Sequence, residues 1–261
     1  MLYGRYRLIE RIGVGGMAVV YRAHDAATKR DVAVKVIANH LVGDPRFVRR
    51  FRREAQLCAR LAHPNIVAVL DTGQAPRDFI VMELVDGVDA GAFLQTPRRL
   101  TPDQALRVVI QVCDALSHAH ARGVVHEDVS PRNVLITEPD RTAKLIDFGL
   151  ASSAADDDAE LTPGVSGTPG YVAPEVLGGA SPSPRSDLYS LGMVAYRLMA
   201  GPSVARVDAV PAAVQRAVAP DPDLRQRSVA EFRAELVRQP RTRRAGARAA
   251  PPTRTSSARA A

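Results

Sequence analysis

Two charged side chains sit where apolar ones belong, and each makes sense only with the other. The run Asp31-Val-Ala-Val-Lys35-Val-Ile37 reads as a β-strand, and its alternation puts Lys35 on the same face as Ala33 and Ile37. Downstream, Phe47, Phe51, Glu54, Cys58 and Leu61 recur at steps of 4, 3, 4 and 3, so Glu54 falls inside the apolar stripe of a helix. A carboxylate on a buried face needs a partner. Alone, Lys35 has a bland reading as an edge-strand lysine whose head snorkels to water. Together the two residues predict a helix packed on a sheet with Glu54 paired to Lys35. An ammonium held in this way is suited to gripping a phosphate.

That strand is one of five short β-like runs in the first 90 residues: Tyr6–Ile12, Ala18–Ala23, Asp31–Ile37, Ile66–Asp71 and Phe79–Leu84. The helix Pro45–Leu61 lies between the third and the fourth. From Thr101 the pattern turns mainly helical. Thr101-Pro102-Asp103-Gln104 is a helix start, with Thr as N-cap, Pro at the first helical position and Gln three residues after the cap. Leu106, Val109, Cys113, Leu116 and His120 then share one face. Two further helices are expected over about 186–200 and 228–238. The outline is α+β: a small β-rich lobe with one long helix, followed by a larger helical lobe.

Charge limits the partners. The net charge of +7 comes from a tail: from residue 238 onward there are seven arginines and no acid, which leaves 28 basic against 28 acidic residues in 1–237. The neutral folded part speaks against nucleic acid as a partner. The segment 239–261 is rich in Arg, Ala, Pro, Thr and Ser and is expected to be a disordered basic tail. It is either a solvated end or a tether for an acidic partner. Only three of the 35 basic residues are lysines, Lys29, Lys35 and Lys144. No apolar run approaches the ~18 residues of a membrane span. No secretory leader is evident, and two cysteines, Cys58 and Cys113, fit a reducing cytoplasm.

Three further segments carry chemistry. Gly13-Val14-Gly15-Gly16-Met17-Ala18 lies between two strands; taken alone it reads first as a glycine-rich turn, and second as a loop whose N–H groups approach phosphate oxygens. Next comes Val125-His126-Glu127-Asp128-Val129-Ser130-Pro131-Arg132-Asn133, and then Leu145-Ile146-Asp147-Phe148-Gly149. Asp128, Asn133 and Asp147 are hard oxygen donors of the kind Mg²⁺ prefers. Any one of them alone is an ordinary turn residue.

In order and spacing these segments resemble the eukaryotic-like serine/threonine protein kinases of bacteria. The resemblance runs over about residues 6–238: Gly13-x-Gly15, Val32-Ala-Val-Lys35, Glu54, His126-x-Asp128 with Asn133, Asp147-Phe-Gly149, Ala173-Pro-Glu175 and Ser186-Asp187-Leu-Tyr-Ser-Leu-Gly192. It implies a kinase domain over 1–238, with lobes of about 1–84 and 86–238, that moves the γ-phosphate of ATP to Ser or Thr hydroxyls of proteins, its own included. ATP would lie between the lobes against Ile12, Gly13, Gly15, Gly16, Val20, Ala33 and Leu135, its adenine bonded to the backbone of Glu83 and Val85 behind Met82. Lys35, positioned by Glu54, would hold the α- and β-phosphates, and Asn133 and Asp147 would hold Mg²⁺. Asp128 would orient the substrate hydroxyl and accept its proton. Asp187 would anchor the backbone at His126, which with Cys58 and Phe148 forms an apolar column. The segment Gly167–Glu175 argues against a small-molecule kinase, and Thr168 favours Ser/Thr over Tyr substrates.

Three departures bear on activity. Glu127 stands where an arginine usually precedes the catalytic aspartate, so a phosphate at Thr162 or Ser166 is not expected to be the on-switch. Ser130 replaces a lysine that contacts the γ-phosphate. Asp221-Pro-x-x-Arg225, whose arginine would pair with Glu175, follows Gly201 after only 19 residues, a shortened lower lobe. The alternative these departures raise is a nucleotide-binding pseudokinase that acts as a scaffold.

Overall fold

The structure, a computed structural model, describes residues 4–74, 76–95, 100–148, 167–200 and 210–238. The first lobe is an antiparallel five-stranded sheet in the order β1-β2-β3-β5-β4, formed by β1 (Tyr6–Val14), β2 (Ala18–Asp25), β3 (Arg30–Ile37), β4 (Val69–Gly73) and β5 (Phe79–Glu83). The alternation of β3 works as the sequence predicts. Val32, Val34 and Val36 join Tyr6, Phe79 and Val81 on one face. Ile37 packs on the other face with Phe51 and Ala55 of helix α1 (Pro45–Cys58). Asp44 caps α1, its carboxylate accepting from Arg46 N–H at 3.0 Å, with Pro45 at the first position.

The helical lobe is centred on α3 (Pro102–His120), which opens with the expected capping box: Thr101 N–H donates to Gln104 Oε1 (2.8 Å) and Gln104 N–H to Thr101 Oγ1 (3.3 Å). Its buried face is wider than one stripe, since Ala105, Val108, Val112, Ala115 and Ala119 are buried beside Val109, Cys113 and Leu116. Against α3 pack α5 (Pro184–Ala200) and α7 (Val229–Arg238), with the short α4 (Pro174–Leu177) and α6 (Ala212–Ala217) beside them. Among the described residues no helix is long and apolar enough to cross a membrane. The expected tail 239–261 lies outside the described residues.

Two sequence expectations change. Below the lobe junction lies a second sheet, β6 (Gly87–Asp89), β7 (Val134–Thr137) and β8 (Ala143–Leu145), with α2 (Ala90–Gln95) after β6. Strands of three or four residues are too short for alternation to reveal. The strand expected at Ile66–Asp71 is displaced to Val69–Gly73, because Ile66 and Val67 are spent elsewhere. Val67 N–H donates to Leu145 O (3.0 Å) and Leu145 N–H to Asn65 O (2.8 Å), so 65–67 bonds to β8 of the other lobe before the chain enters β4.

The lower lobe is closed by Arg225, whose side chain is wholly buried. Its guanidinium makes a two-pronged pair with Glu175, both N–O distances 2.7 Å, and donates to the carbonyls of Ala219 (2.7 Å), Pro220 (2.9 Å) and Arg185 (3.1 Å). Without it the Glu175 carboxylate would lose its charged partner inside the lobe. Arg225→Ala is therefore expected to cost about 3–5 kcal/mol and to lower the melting temperature by roughly 10 °C in a thermal unfolding scan. Arg225→Lys, a point charge without the fork, is expected to recover less than half of that loss.

Candidate active site

The charged cluster sits at the junction of the lobes. Lys35 Nζ donates to Glu54 Oε1 at 2.8 Å and to Asp147 Oδ1 at 2.7 Å, joining β3, α1 and the segment after β8 in one contact. Burial works against the ammonium, but the charges of Asp147 and Glu54 outweigh it and hold the pKa of Lys35 above that of a free lysine. Burial pushes Glu54 the opposite way, up, with Lys35 opposing. Asp147 is one-third exposed, so the cluster opens to the cleft on one side only.

Asp128 is held from two directions. Asn133 Nδ2 donates to its Oδ2 (2.9 Å) and to its backbone carbonyl (2.8 Å). Thr168 donates to its Oδ1 through both backbone N–H (2.9 Å) and hydroxyl (2.8 Å). Sequence reasoning used Thr168 only as a pointer to substrate type; its bond to Asp128 had no local signal. Gly167 beside it lies at φ 123°, and an added Cβ would stand 2.8 Å from Val172 Cγ2. That position requires glycine.

Two non-glycine residues at the site adopt left-handed backbone, Glu127 (φ 71°) and Asp147 (φ 59°). Such conformations persist when their surroundings over-determine them. At Glu127 the buried Asp187 does so: its Oδ2 accepts from His126 N–H (2.8 Å) and its Oδ1 from Glu127 N–H (2.9 Å). His120 Nε2 lies 2.7 Å from Asp187 Oδ2 and steadies the carboxylate. The sequence placed His120 on the buried stripe without this role. At Asp147 the neighbours are tied down. Ile146 N–H donates to Asn133 O (3.0 Å), and His126, whose Nδ1 accepts from Asp128 N–H, points Nε2 at Ile146 O (2.9 Å). The His126 and Phe148 rings pack against each other tilted by 49°, with centroids 4.6 Å apart. Cys58 lies in the same core, its thiol pushed up to about 12 by burial, which suits packing rather than redox chemistry.

The remaining expected site residues differ in exposure. Ala33 is buried, Val20, Met82, Glu83, Val85 and Leu135 are half-buried, and Ile12 is exposed. Gly13, Gly15 and Gly16 lie in the β1–β2 hairpin, closed by Gly15 N–H to Ala18 O (2.9 Å); none has positive φ, and a Cβ at Gly16 would meet open space. The fold itself therefore makes no demand for glycine at 16. Glu83 N–H is taken by Ala68 O (3.0 Å), so of its two backbone groups only the carbonyl could serve the expected base contact. Ser130 is fully buried, and its hydroxyl has no hydrogen-bond partner among the described residues. Gly149, Thr162 and Ser166 lie outside the described residues.

A cation has a place here. Asn133 uses Nδ2 for both its bonds, and Asp147 gives only Oδ1 to Lys35, which leaves one oxygen of each for a hard metal ion. Among the described residues no three His, Cys, Asp or Glu side chains form a metal cage by themselves. A donor set so sparse fits Mg²⁺ completed by phosphate oxygens and water.

A five-stranded sheet with one helix, set on a helical lobe and sharing with it a buried Lys–Glu–Asp cluster, defines the protein-kinase class of fold. The sequence pattern of the family described as "Protein kinase domain" matches residues 6–249, and the chain belongs to that family. It is 40% identical to the serine/threonine-protein kinase PknB of Mycolicibacterium smegmatis and 42% identical to PknB of Mycobacterium tuberculosis, in each comparison over 91% of this chain and 43% of the relative. The serine/threonine-protein kinase PrkC of Bacillus subtilis is 39% identical over 76% of this chain and 31% of its own length. The chain thus spans about two-fifths of the curated PknB relatives. The crystal structure of the Mycobacterium tuberculosis PknI kinase domain (C20A_R136N double mutant) superposes with a TM-score of 0.73 at 32% identity, covering 91% of this chain and 96% of that one.

Glu127 supplies a pH signature. Burial, then the charge of Asp187, pushes its carboxyl up to about 7, with Arg53 and Arg50 opposing. An acid whose folded pKa lies above its unfolded value loses stability as pH rises from the unfolded value to the folded one. Glu127→Gln removes that loss. Its melting temperature is expected to match the parent near pH 4.5, to pull ahead toward pH 7 and to keep a constant lead above it. The lead corresponds to roughly 1 kcal/mol after allowance for partial exposure, about 2–4 °C.

Proposed function

We propose that this chain is an ATP-dependent serine/threonine protein kinase domain of the non-specific type, carried by residues 1–238. The observation that carries the reading is Lys35 held between Glu54 and Asp147, with the bonded pair Asp128 and Asn133 joined to the Asp147 segment through Ile146 N–H to Asn133 O. Lys35 binds the α- and β-phosphates of ATP. Asn133 and Asp147 hold Mg²⁺ through their remaining oxygens, and the ion neutralises phosphate charge when bound. Asp128 orients the hydroxyl of a protein Ser or Thr. As that oxygen bonds to the γ-phosphorus, the bond from the γ-phosphorus to the bridging β–γ oxygen breaks, ADP leaves, and the hydroxyl proton passes to the Asp128 carboxylate. The protein contributes position and charge, because the transferring group needs little covalent help.

Protein substrates follow from this reading, and the chain itself is the first candidate. Cys58 and Cys113 are free and buried, which supports a reducing, cytoplasmic setting. The basic tail 239–261 reads first as a solvated end and second as a tether for an acidic partner.

Incubation with γ-labelled ATP and Mg²⁺ tests the reading. Label is expected on the protein and on a generic protein substrate, and Asp128→Asn is expected to lower the rate by at least about 10²-fold. No label from the parent chain, with ATP still raising its melting temperature, would replace the reading with a nucleotide-binding pseudokinase.

A further inference from the structure

The third lysine of the chain has a task that the reading above leaves unused. Lys144 is the middle residue of β8, flanked by Ala143 and Leu145, both completely buried in the helical-lobe core. Alternation turns Lys144 to the opposite face. There its cross-strand partner on β7 is Leu135, so both side chains project from one face of the small sheet. From that face Lys144 Nζ reaches Glu83 Oε1 at 2.6 Å. Glu83 ends β5 in the first lobe, and its N–H is already spent on Ala68 O. The same Oε1 also accepts from Ala68 N–H at 2.9 Å. One carboxylate oxygen therefore ties together the end of β5, the segment that crosses between the lobes, and the sheet carrying Leu135.

The crossing segment is fastened from its other end as well. Asn65 Nδ2 donates to Ala143 O (2.8 Å) and to Gln111 Oε1 (3.1 Å), and Ala143 N–H donates to the same Gln111 oxygen (2.6 Å). With the Asn65 and Val67 bonds to Leu145, β8 holds 65–67 firmly whether or not Lys144 is present. What Lys144 adds to the two bonds that Glu83 exchanges with Ala68 is a direct tie from Glu83 to the sheet carrying Leu135. Without Lys144 the Glu83 carboxylate, about one-third exposed, would keep only the Ala68 N–H as a neutral donor and lose its charged partner and its tie to β8.

We infer that the Lys144–Glu83 pair is a positioning element for the base-binding edge of the cleft, fixing the Glu83 carbonyl relative to Leu135. The inference rests on the reading of the cleft as an adenine-nucleotide site. Lys144 touches no reacting atom; it acts through Glu83. Its loss weakens what depends on the base and spares what depends on the phosphates.

Equilibrium binding of adenosine and of ATP–Mg²⁺ to the whole chain separates these contributions, alongside KM and kcat for labelled phosphate transfer. Lys144→Ala is expected to weaken adenosine and ATP by the same factor, about threefold to fivefold, and to raise KM for ATP while kcat stays within twofold. Lys144→Arg, which keeps the cation, is expected to restore both affinities. Glu83→Gln keeps the acceptor for Ala68 N–H and loses the charge, and combining it with Lys144→Ala is expected to add little to either alone. Adenosine affinity within twofold of the parent in Lys144→Ala overturns the inference, as does a double variant whose losses simply add. A fall in kcat with unchanged KM also overturns it, and so does loss of ATP affinity without loss of adenosine affinity. Should the unaltered chain bind neither ligand, the nucleotide reading itself fails and the positioning role falls with it.

Discussion

A lysine ammonium that is 3% exposed survives only beside opposite charge, and Lys35 has two carboxylates within 2.8 Å. Removing either partner of a buried pair typically costs about 3–5 kcal/mol, because the charge left behind stays buried. Much of the architecture follows from keeping this cluster intact. Strand β3 must run unbroken through the sheet to bring Lys35 to its inner face, and α1 must seat Phe51 and Ala55 against Ile37 so that Glu54 arrives at the same point. Asp147 comes from the other lobe, so the cluster is also a joint between lobes.

The joint makes demands on the helical lobe. Asp147 reaches Lys35 from a left-handed backbone, and Glu127, next to Asp128, sits in another. Both are costly conformations for residues with a Cβ. The buried groups around them carry that cost: Asp187 takes two backbone N–H groups of the 126–127 segment, and His126 spans from Asp128 N–H to Ile146 O. Glu127 itself is an unusual choice, because burial and the nearby Asp187 both disfavour its ionised form. Charge on that residue therefore depends on pH in the range where most side chains are settled.

Several of these features were legible before any coordinates. Lys35 and Glu54 stood out because each violated a local pattern, and a violated pattern points to a partner even when the partner is distant. The capping box of α3 and the face of β3 were readable because they depend on residues two to four apart. The ordered motifs then located Asp128, Asn133, Asp147 and Asp187 by resemblance. Thr168 on Asp128, His120 on Asp187 and Lys144 on Glu83 were not readable, since these pairs join residues 40, 67 and 61 positions apart without breaking any local rule. The small sheet escaped for a different reason: strands of three and four residues are shorter than the window over which a period can be told from chance.

The sequence by itself determined which residues are apolar, where the helices start, and that a lysine and a glutamate must share one buried place, because propensity, capping and periodicity act over a few residues. The tertiary structure decided which oxygen takes which donor. It moved the fourth strand from Ile66 to Val69, since Ile66 and Val67 were claimed by β8 across the lobe boundary. It also surrounded the Arg225–Glu175 pair with the carbonyls of Ala219, Pro220 and Arg185. Those outcomes rest on competition among donors and acceptors that meet only when the chain is folded, and a hydrogen bond's direction and reach of about 3 Å leave no trace in the order of the residues.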